Sequence, residues 1–216
     1  PKVDSLAELN ELIAAADARD DARRIGARAE TVGAAAAREL PLLRPLPAEV
    51  FDVDAVLSCR VDAKARVCVR QSYYSVPARH VGRRLEVRLG ATRILVLDPA
   101  AHGKVIAQHT RSLHKGTEDL VLDHYLEVLV RKPGALAGST ALASAKASGA
   151  FTANHQRFWT AARKALGDGA GTRALIGVLL LHRTMSASAV AAGMAAAVAD
   201  EVFDADLVAV HARRAT

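Results

Sequence analysis

Along residues 84–89 polar and apolar side chains alternate. Arg84, Glu86 and Arg88 take one side of an extended chain, and Leu85, Val87 and Leu89 take the other. The same alternation runs through 66–70, where Val67 and Val69 separate Arg66, Cys68 and Arg70. Arg79 and Arg83 flank the starts of strands, and Tyr73 and Tyr74 stand between these basic groups. Arginine offers a planar fork of donors that matches a phosphate, and tyrosine adds stacking or a hydroxyl bond. The chemistry open to Arg66, Arg70, Tyr73, Tyr74, Arg79, Arg83, Arg84 and Arg88 is therefore the holding of a nucleic-acid backbone. An ordinary solvated face of an arginine-rich protein would show the same pattern, so the placement of charge has to decide. Residues 57–116 carry twelve Lys/Arg against three Asp/Glu, a net of +9, whereas the whole chain carries +6. Residues 1–56 are net −4 and residues 117–216 net +1. One middle segment thus holds more than the entire excess, as a polyanion-binding module requires. No base-reading motif accompanies it, which favours phosphate contact over sequence readout.

Other reactive residue types form no comparable set. Asp52 with Asp54, and Asp204 with Asp206, are paired acids of a kind that ligates Mg²⁺, but each pair sits where capping or solvation explains it. His102, His109, His114 and His124 fall within 23 positions without metal-ligand spacing and are expected at the surface or as caps. Ser139, Ser144 and Ser148 lack a nucleophile-elbow context. Cys59 and Cys68 match no zinc spacing. Pairing them across a four-residue turn at 62–65 would turn Val61 to the arginine face, so burial favours a register shifted by one and reduced thiols. With no secretion signal and no run of about 18 apolar residues, a cytoplasmic protein that does not span a membrane is expected. The first residue is Pro1 rather than Met, as expected of a piece of a longer chain.

The elements that must position these residues follow from periodicity. Hydrophobic residues make up 51% of the 216 but aromatics only 4%, so the core rests on Ala, Leu and Val. Ser5 with Glu8 reads as a capping box opening a helix to about Ala18, with Leu6, Leu9, Leu12 and Ile13 on one stripe. A second helix is predicted over about 27–40, stopping before the Pro41, Pro45, Pro47 strap. From about Val53 to His109 the period becomes two, in short strands at roughly ten-residue spacing; the expectation is a five-stranded antiparallel barrel. After Asp119 the helical period returns, with helices predicted near 122–132, 138–147, 152–166, 170–183, 186–199 and 204–214, and Ser186 and Asp204 as N-caps. The fold class is α+β, in three parts: a helical segment with a Pro-rich strap (1–50), a small basic barrel (51–116) and a helical C-terminal region (117–216).

Four runs are more specific: Arg60-Val61-Asp62, Val67-Cys68-Val69, Tyr74-Ser75-Val76-Pro77-Ala78-Arg79 and Val81-Gly82-Arg83-Arg84-Leu85. Together they resemble the C-terminal barrel of IstA-type insertion-sequence transposases, relatives of the retroviral-integrase and Mu transposase group. Asp123-His124-Tyr125-Leu126-Glu127-Val128-Leu129, with Arg131-Lys132-Pro133-Gly134-Ala135-Leu136, is similar to the segment that follows that barrel, and Ser5-Leu6-Ala7-Glu8-Leu9-Asn10 to the helix after the family's catalytic core. The resemblance implies an RNase H-like core with three metal-binding acids upstream of Pro1. No motif of that core is present, so no catalytic residue is carried over. The chain itself is then expected to need no cofactor and to perform no cleavage or joining, Mg²⁺ belonging to the core of the parent enzyme. The implied partners are transposon-end duplex DNA, a second transposase subunit and an ATPase of the IstB type. The helical tail becomes a docking surface for one of the last two. The expected function is DNA binding and assembly in transposition; the alternative is a protein-interaction scaffold whose DNA contacts are incidental. The charge step at 57–116 separates them, because a scaffold does not need it.

Overall fold

The computed structural model describes residues 2–46, 48 and 53–215. It divides into two compact units, Pro1–Asp52 and Val53–Thr216. In the first, helix α1 (Leu6–Asp21) is capped by Ser5, whose hydroxyl accepts from the Glu8 N–H. Glu8 answers to the N–H of Asp4 at 2.7 Å, one residue before the cap, so the capping box is present in displaced form. Helix α2 (Val32–Glu39) is shorter than predicted because Thr31 supplies its cap. Pro41 does not stop the chain at once: it sits inside a 3₁₀ turn, Leu40–Leu42, where its missing N–H is not needed. Asp52 and Pro47 lie outside the described residues.

Among the described residues the second unit carries seven strands rather than five, in two sheets that do not close into a barrel. β1 (Ala55–Arg60), β4 (Arg84–Leu89), β5 (Arg93–Asp98) and β6 (Lys104–Thr110) form an antiparallel sheet in the order β1-β4-β5-β6. β2 (Arg66–Val69), β3 (Ser72–Ser75) and the short β7 (Glu118–Asp119) form the other, with β3 and β7 parallel. The turn at 62–65 exists, but it does not pair β1 with β2. The Asp62 carboxylate accepts from the N–H groups of Lys64 and Arg66, both at 2.9 Å, and fixes the turn, across which the Asp62 N–H bonds the Arg66 carbonyl. The Val61 N–H goes to Arg83 instead, and β1 pairs with β4. Cys59 donates weakly to the Cys68 carbonyl at 3.6 Å, both thiols are free, and Val61, Val67 and Val69 are all buried. These valines meet Val76, Leu85, Val87, Leu89, Ile94 and Val96 between the sheets.

Side chains join the sheets where backbone ladders do not. His109 of β6 bonds the Ser75 carbonyl of β3 through Nε2 (2.7 Å) and the Asp119 carboxylate of β7 through Nδ1 (3.0 Å). That hydrogen bond outweighs partial burial and holds the Asp119 carboxyl below its ordinary range. Ser75 Oγ accepts from the Val121 N–H and lies 2.8 Å from His124 Nδ1. Two of the four histidines expected at the surface or as caps, His109 and His124, are buried and half-buried, with partners distant in sequence. His102 and His114 are exposed as expected.

The helices follow the predicted order: a 3₁₀ turn (Leu122–Tyr125), then α3 (Leu126–Arg131), α4 (Thr140–Ala147), α5 (Ala153–Leu166), α6 (Asp168–Leu181), α7 (Ala187–Ala199) and α8 (Ala205–Arg214). Ser139, Ser186 and Asp204 cap α4, α7 and α8 through their side chains. Their core gathers Leu126, Leu136, Phe158, Trp159, Leu175, Ile176, Val190 and Met194. Among the described residues no helix is long and apolar enough to cross a membrane.

Candidate nucleic-acid interface

The alternation of β4 is realised: Leu85, Val87 and Leu89 are buried, while Arg84 is exposed and Glu86 and Arg88 are half-buried on the outer face. Glu86 accepts from Arg88 Nε at 3.1 Å, so the carboxylate is drawn along the strand away from Arg84. Arg84 stands directly opposite Arg60 of β1. Neither makes an ion pair among the described residues. Antiparallel pairing brings the end of β1, the start of β4, the end of β5 and the start of β6 to one end of this sheet. Arg60, Arg84 and Lys104 share it, with Lys104 opposite Asp98. The Asp98 carboxylate is already engaged by Arg83 (3.2 Å) and by the N–H of Ala100 (3.0 Å), so it does not neutralise the others. His80 is buried beside it; burial and then the charge of Arg79 push its pKa below the usual imidazole range, with Asp98 opposing.

The eight residues expected to touch DNA do not form one face. Arg84 and Arg88 lie on the four-stranded sheet, whereas Arg66, Arg70, Tyr73 and Tyr74 belong to the other. Tyr74 is 1% exposed, and its hydroxyl accepts the Ser112 N–H at 2.9 Å; it is a core residue, because β3 turns this side of the strand inward. Arg66 is also withdrawn. Its guanidinium binds Asp62 at 2.8 Å, pairs with Glu118 and lies 4.3 Å over the Tyr73 ring, leaving the side chain 11% exposed. Desolvation pushes the Asp62 carboxyl up, but the Arg66 hydrogen bonds and charge prevail and hold it below its ordinary range. Arg79 pairs with Glu127 at 3.5 Å and stays exposed, as does Arg83. Arg70 sits at the tip of the β2–β3 turn, exposed, with a left-handed backbone (φ 49°).

Arg66→Ala should consequently act on stability and not on any DNA contact. It strands Asp62 and Glu118, whose remaining solvation keeps the cost near about 1–2 kcal/mol. A denaturant midpoint unchanged beside wild type would show that this network holds nothing together.

Residues 46–120 match the Mu transposase C-terminal domain. The chain carries a transposase-related domain. A protein of Burkholderia multivorans named as a transposase for insertion sequence IS408 is 38% identical over 124 residues, covering 56% of this chain and 23% of that protein. The transposase for insertion sequences IS1326/IS1353 of Pseudomonas aeruginosa is 35% identical over 112 residues, 50% of this chain and 21% of the relative. A transposase of Aminobacter aminovorans is 34% identical over 103 residues. The chain thus spans about a fifth of the length of the curated relatives it matches. No solved structure matches it.

The matched stretch of this transposase-related domain takes in both sheets and ends at β7, where Asp119 meets His109. It contains the whole basic segment 57–116. Arg60 and Lys104 were missed in the alternation along single strands, because only the β1–β4 and β5–β6 registers bring them beside Arg84 and Asp98. Among the described residues no group of three His, Cys, Asp or Glu could hold a metal ion.

Proposed function

We propose that this chain is a DNA-binding and assembly module of an insertion-sequence transposase, and that it contributes no catalytic residue to cutting or joining. The observation that carries the reading is the segregation of twelve Lys/Arg against three Asp/Glu into the strand-forming stretch that matches the transposase family. Arg60, Arg83, Arg84, Arg88 and Lys104 on or beside the four-stranded sheet, with Arg70 and Arg79, hold phosphates of duplex DNA; the transposon end is the biological substrate. Arg66 and Tyr74 leave the sequence-derived set, and Tyr73 stays in place under Arg66. Mg²⁺ chemistry is assigned to a core of three acids; among the described residues no three His, Cys, Asp or Glu gather as such a site. Transposition in a cytoplasmic complex is the process served.

A second reading has a specific observation in its favour. A groove of about 740 Å³ runs between the segment 119–126 and helices α4 to α7, walled by Leu120, Leu122, Leu126, Phe151 and Leu179. Its apolar walls could receive apolar side chains of a protein partner, an IstB-type ATPase or a second transposase subunit, and a pure scaffold would need nothing more.

A salt titration separates the two. If about five phosphates are neutralised, log affinity for duplex DNA falls with log salt at a slope near −4 to −5, equally for unrelated sequences. With Mg²⁺ present the duplex is recovered intact. Weak binding without a salt slope would favour the scaffold. Cleavage that disappears on changing an Asp or Glu of this chain would overturn the non-catalytic assignment.

A further inference from the structure

Like charges placed directly opposite each other across two antiparallel strands weaken a sheet. Arg60 and Arg84 are such a pair. The Val61 N–H to Arg83 carbonyl bond (2.9 Å) marks the neighbouring position as hydrogen-bonded, so Arg60 and Arg84 occupy the non-hydrogen-bonded kind, where side chains stand closest. Both point outward, since Cys59, Val61 and Leu85 beside them are half-buried or buried. Carboxylates that could relieve the repulsion are committed elsewhere, Glu86 to Arg88 and Asp98 to Arg83. Two arginine side chains therefore leave directly opposed positions of adjacent strands on the same outer face, and neither forms an ion pair among the described residues. An anion between them offsets the repulsion and meets donors from both sides, which a single surface arginine does not offer.

We propose that Arg60 and Arg84 form a two-arginine clamp on a single phosphodiester of the nucleic-acid backbone, the anchoring contact of the interface. The inference rests on the DNA-binding reading above and adds to it a residue, Arg60, and a stoichiometry, one phosphate shared by two side chains. Lys104, at the same end of the sheet, meets a neighbouring phosphate.

The test is a double-mutant cycle on the full chain with a duplex of arbitrary sequence, read at several salt concentrations. Arg60→Ala and Arg84→Ala should each weaken binding by roughly tenfold. Because they share one phosphate, the double variant should lose much less than the product of the singles, and its salt slope should flatten by about one unit rather than two. Without DNA each variant should melt no lower than wild type, since a repulsion has been removed, and Arg60→Gln with Arg84→Gln repeats the cycle with part of each stem retained. Fully multiplicative losses with a slope change of two would mean separate phosphates and overturn the clamp. Normal binding by Arg60→Ala would do the same, as would a lowered melting temperature with affinity intact. If wild type itself binds no duplex at low salt, the failure belongs to the DNA-binding reading and takes the clamp with it.

Discussion

Gly171→Ala should destabilise the helical region by about 3 kcal/mol or more, the upper end of what overpacking costs. Helices α5 and α6 are joined by the single non-helical residue Gly167, so they leave the corner tightly apposed. A Cβ built at Gly171 falls 2.5 Å from the carbonyl carbon of Ala162 and 2.5 Å from the N of Arg163. Those are backbone atoms near the C-terminal end of α5 and cannot rotate aside, so the helices must separate. Separation uncovers Phe158, Trp159, Leu175 and Ile176 and breaks the Trp159 Nε1–H to Thr172 Oγ1 bond of 3.0 Å. For a chain of this size the melting temperature should fall by roughly 10 °C. Trp159, the single tryptophan, reports the event directly in fluorescence. Gly169→Ala on the same helix is the control. Its Cβ would meet nothing within 4 Å, and alanine favours a helix, so it should be neutral or stabilising by up to about 1 kcal/mol. Equal melting of the Gly171 variant and wild type would show that the α5–α6 approach is looser than described.

Such contacts mark where sequence reasoning ends. Strand β4 was legible because alternation over 84–89 is a property of the strand alone. So were the caps at Ser5, Ser186 and Asp204, where each hydroxyl or carboxylate serves an N–H two or three residues on. Closure into a barrel was not legible. It depends on whether β1 pairs with β2 or β4, and the β1–β4 pairing joins residues more than twenty positions apart, which alternation along one strand does not reveal. The β2–β3 hairpin was hidden for another reason: its turn residues Arg70 and Gln71 both take positive φ, where glycine or asparagine would have announced it. The basic segment was visible as charge, but the Arg60–Arg84 juxtaposition needs a register. Tyr74 and Arg66 looked available because tyrosine and arginine are amphipathic types. Only the positions of Ser112, Asp62 and Glu118 show that their polar ends are already used.

The histidines of the helical region should make it acid-labile well above the carboxylate range. The Thr152 N–H donates to His155 Nδ1 at 3.0 Å, so this ring stands where a capping box usually has glutamate or glutamine. That nitrogen is bare, and Nε2 must carry the proton; it lies 2.9 Å from Nε2 of His182, which accepts with its own proton on Nδ1. Protonating His155 sets two donors against each other at the cap of α5. Protonating His182 does the same between α5 and α6. Burial, and then the neighbouring His182, lower the pKa of His155 to about 4, and burial followed by the charge of His109 lowers His124 to about 4. Both values lie below the ordinary 6.5, so the unfolded chain takes up protons first. Stability is complete above about pH 6.5 and is lost as pH falls from there toward 4, at about 1.4 kcal/mol per pH unit for each such histidine. Together they should remove on the order of 3–5 kcal/mol between pH 7 and 4.5. His155→Gln keeps an acceptor for the Thr152 N–H and cannot titrate. It should be weaker than wild type by about 1 kcal/mol at pH 7.5, through the lost His182 bond. Its stability should then fall less steeply, by about 1.4 kcal/mol per pH unit, and overtake wild type near pH 5–6. Urea midpoints followed through Trp159 across this range would give both slopes. Parallel lines for wild type and variant would mean that His155 does not hold the cap in its neutral form.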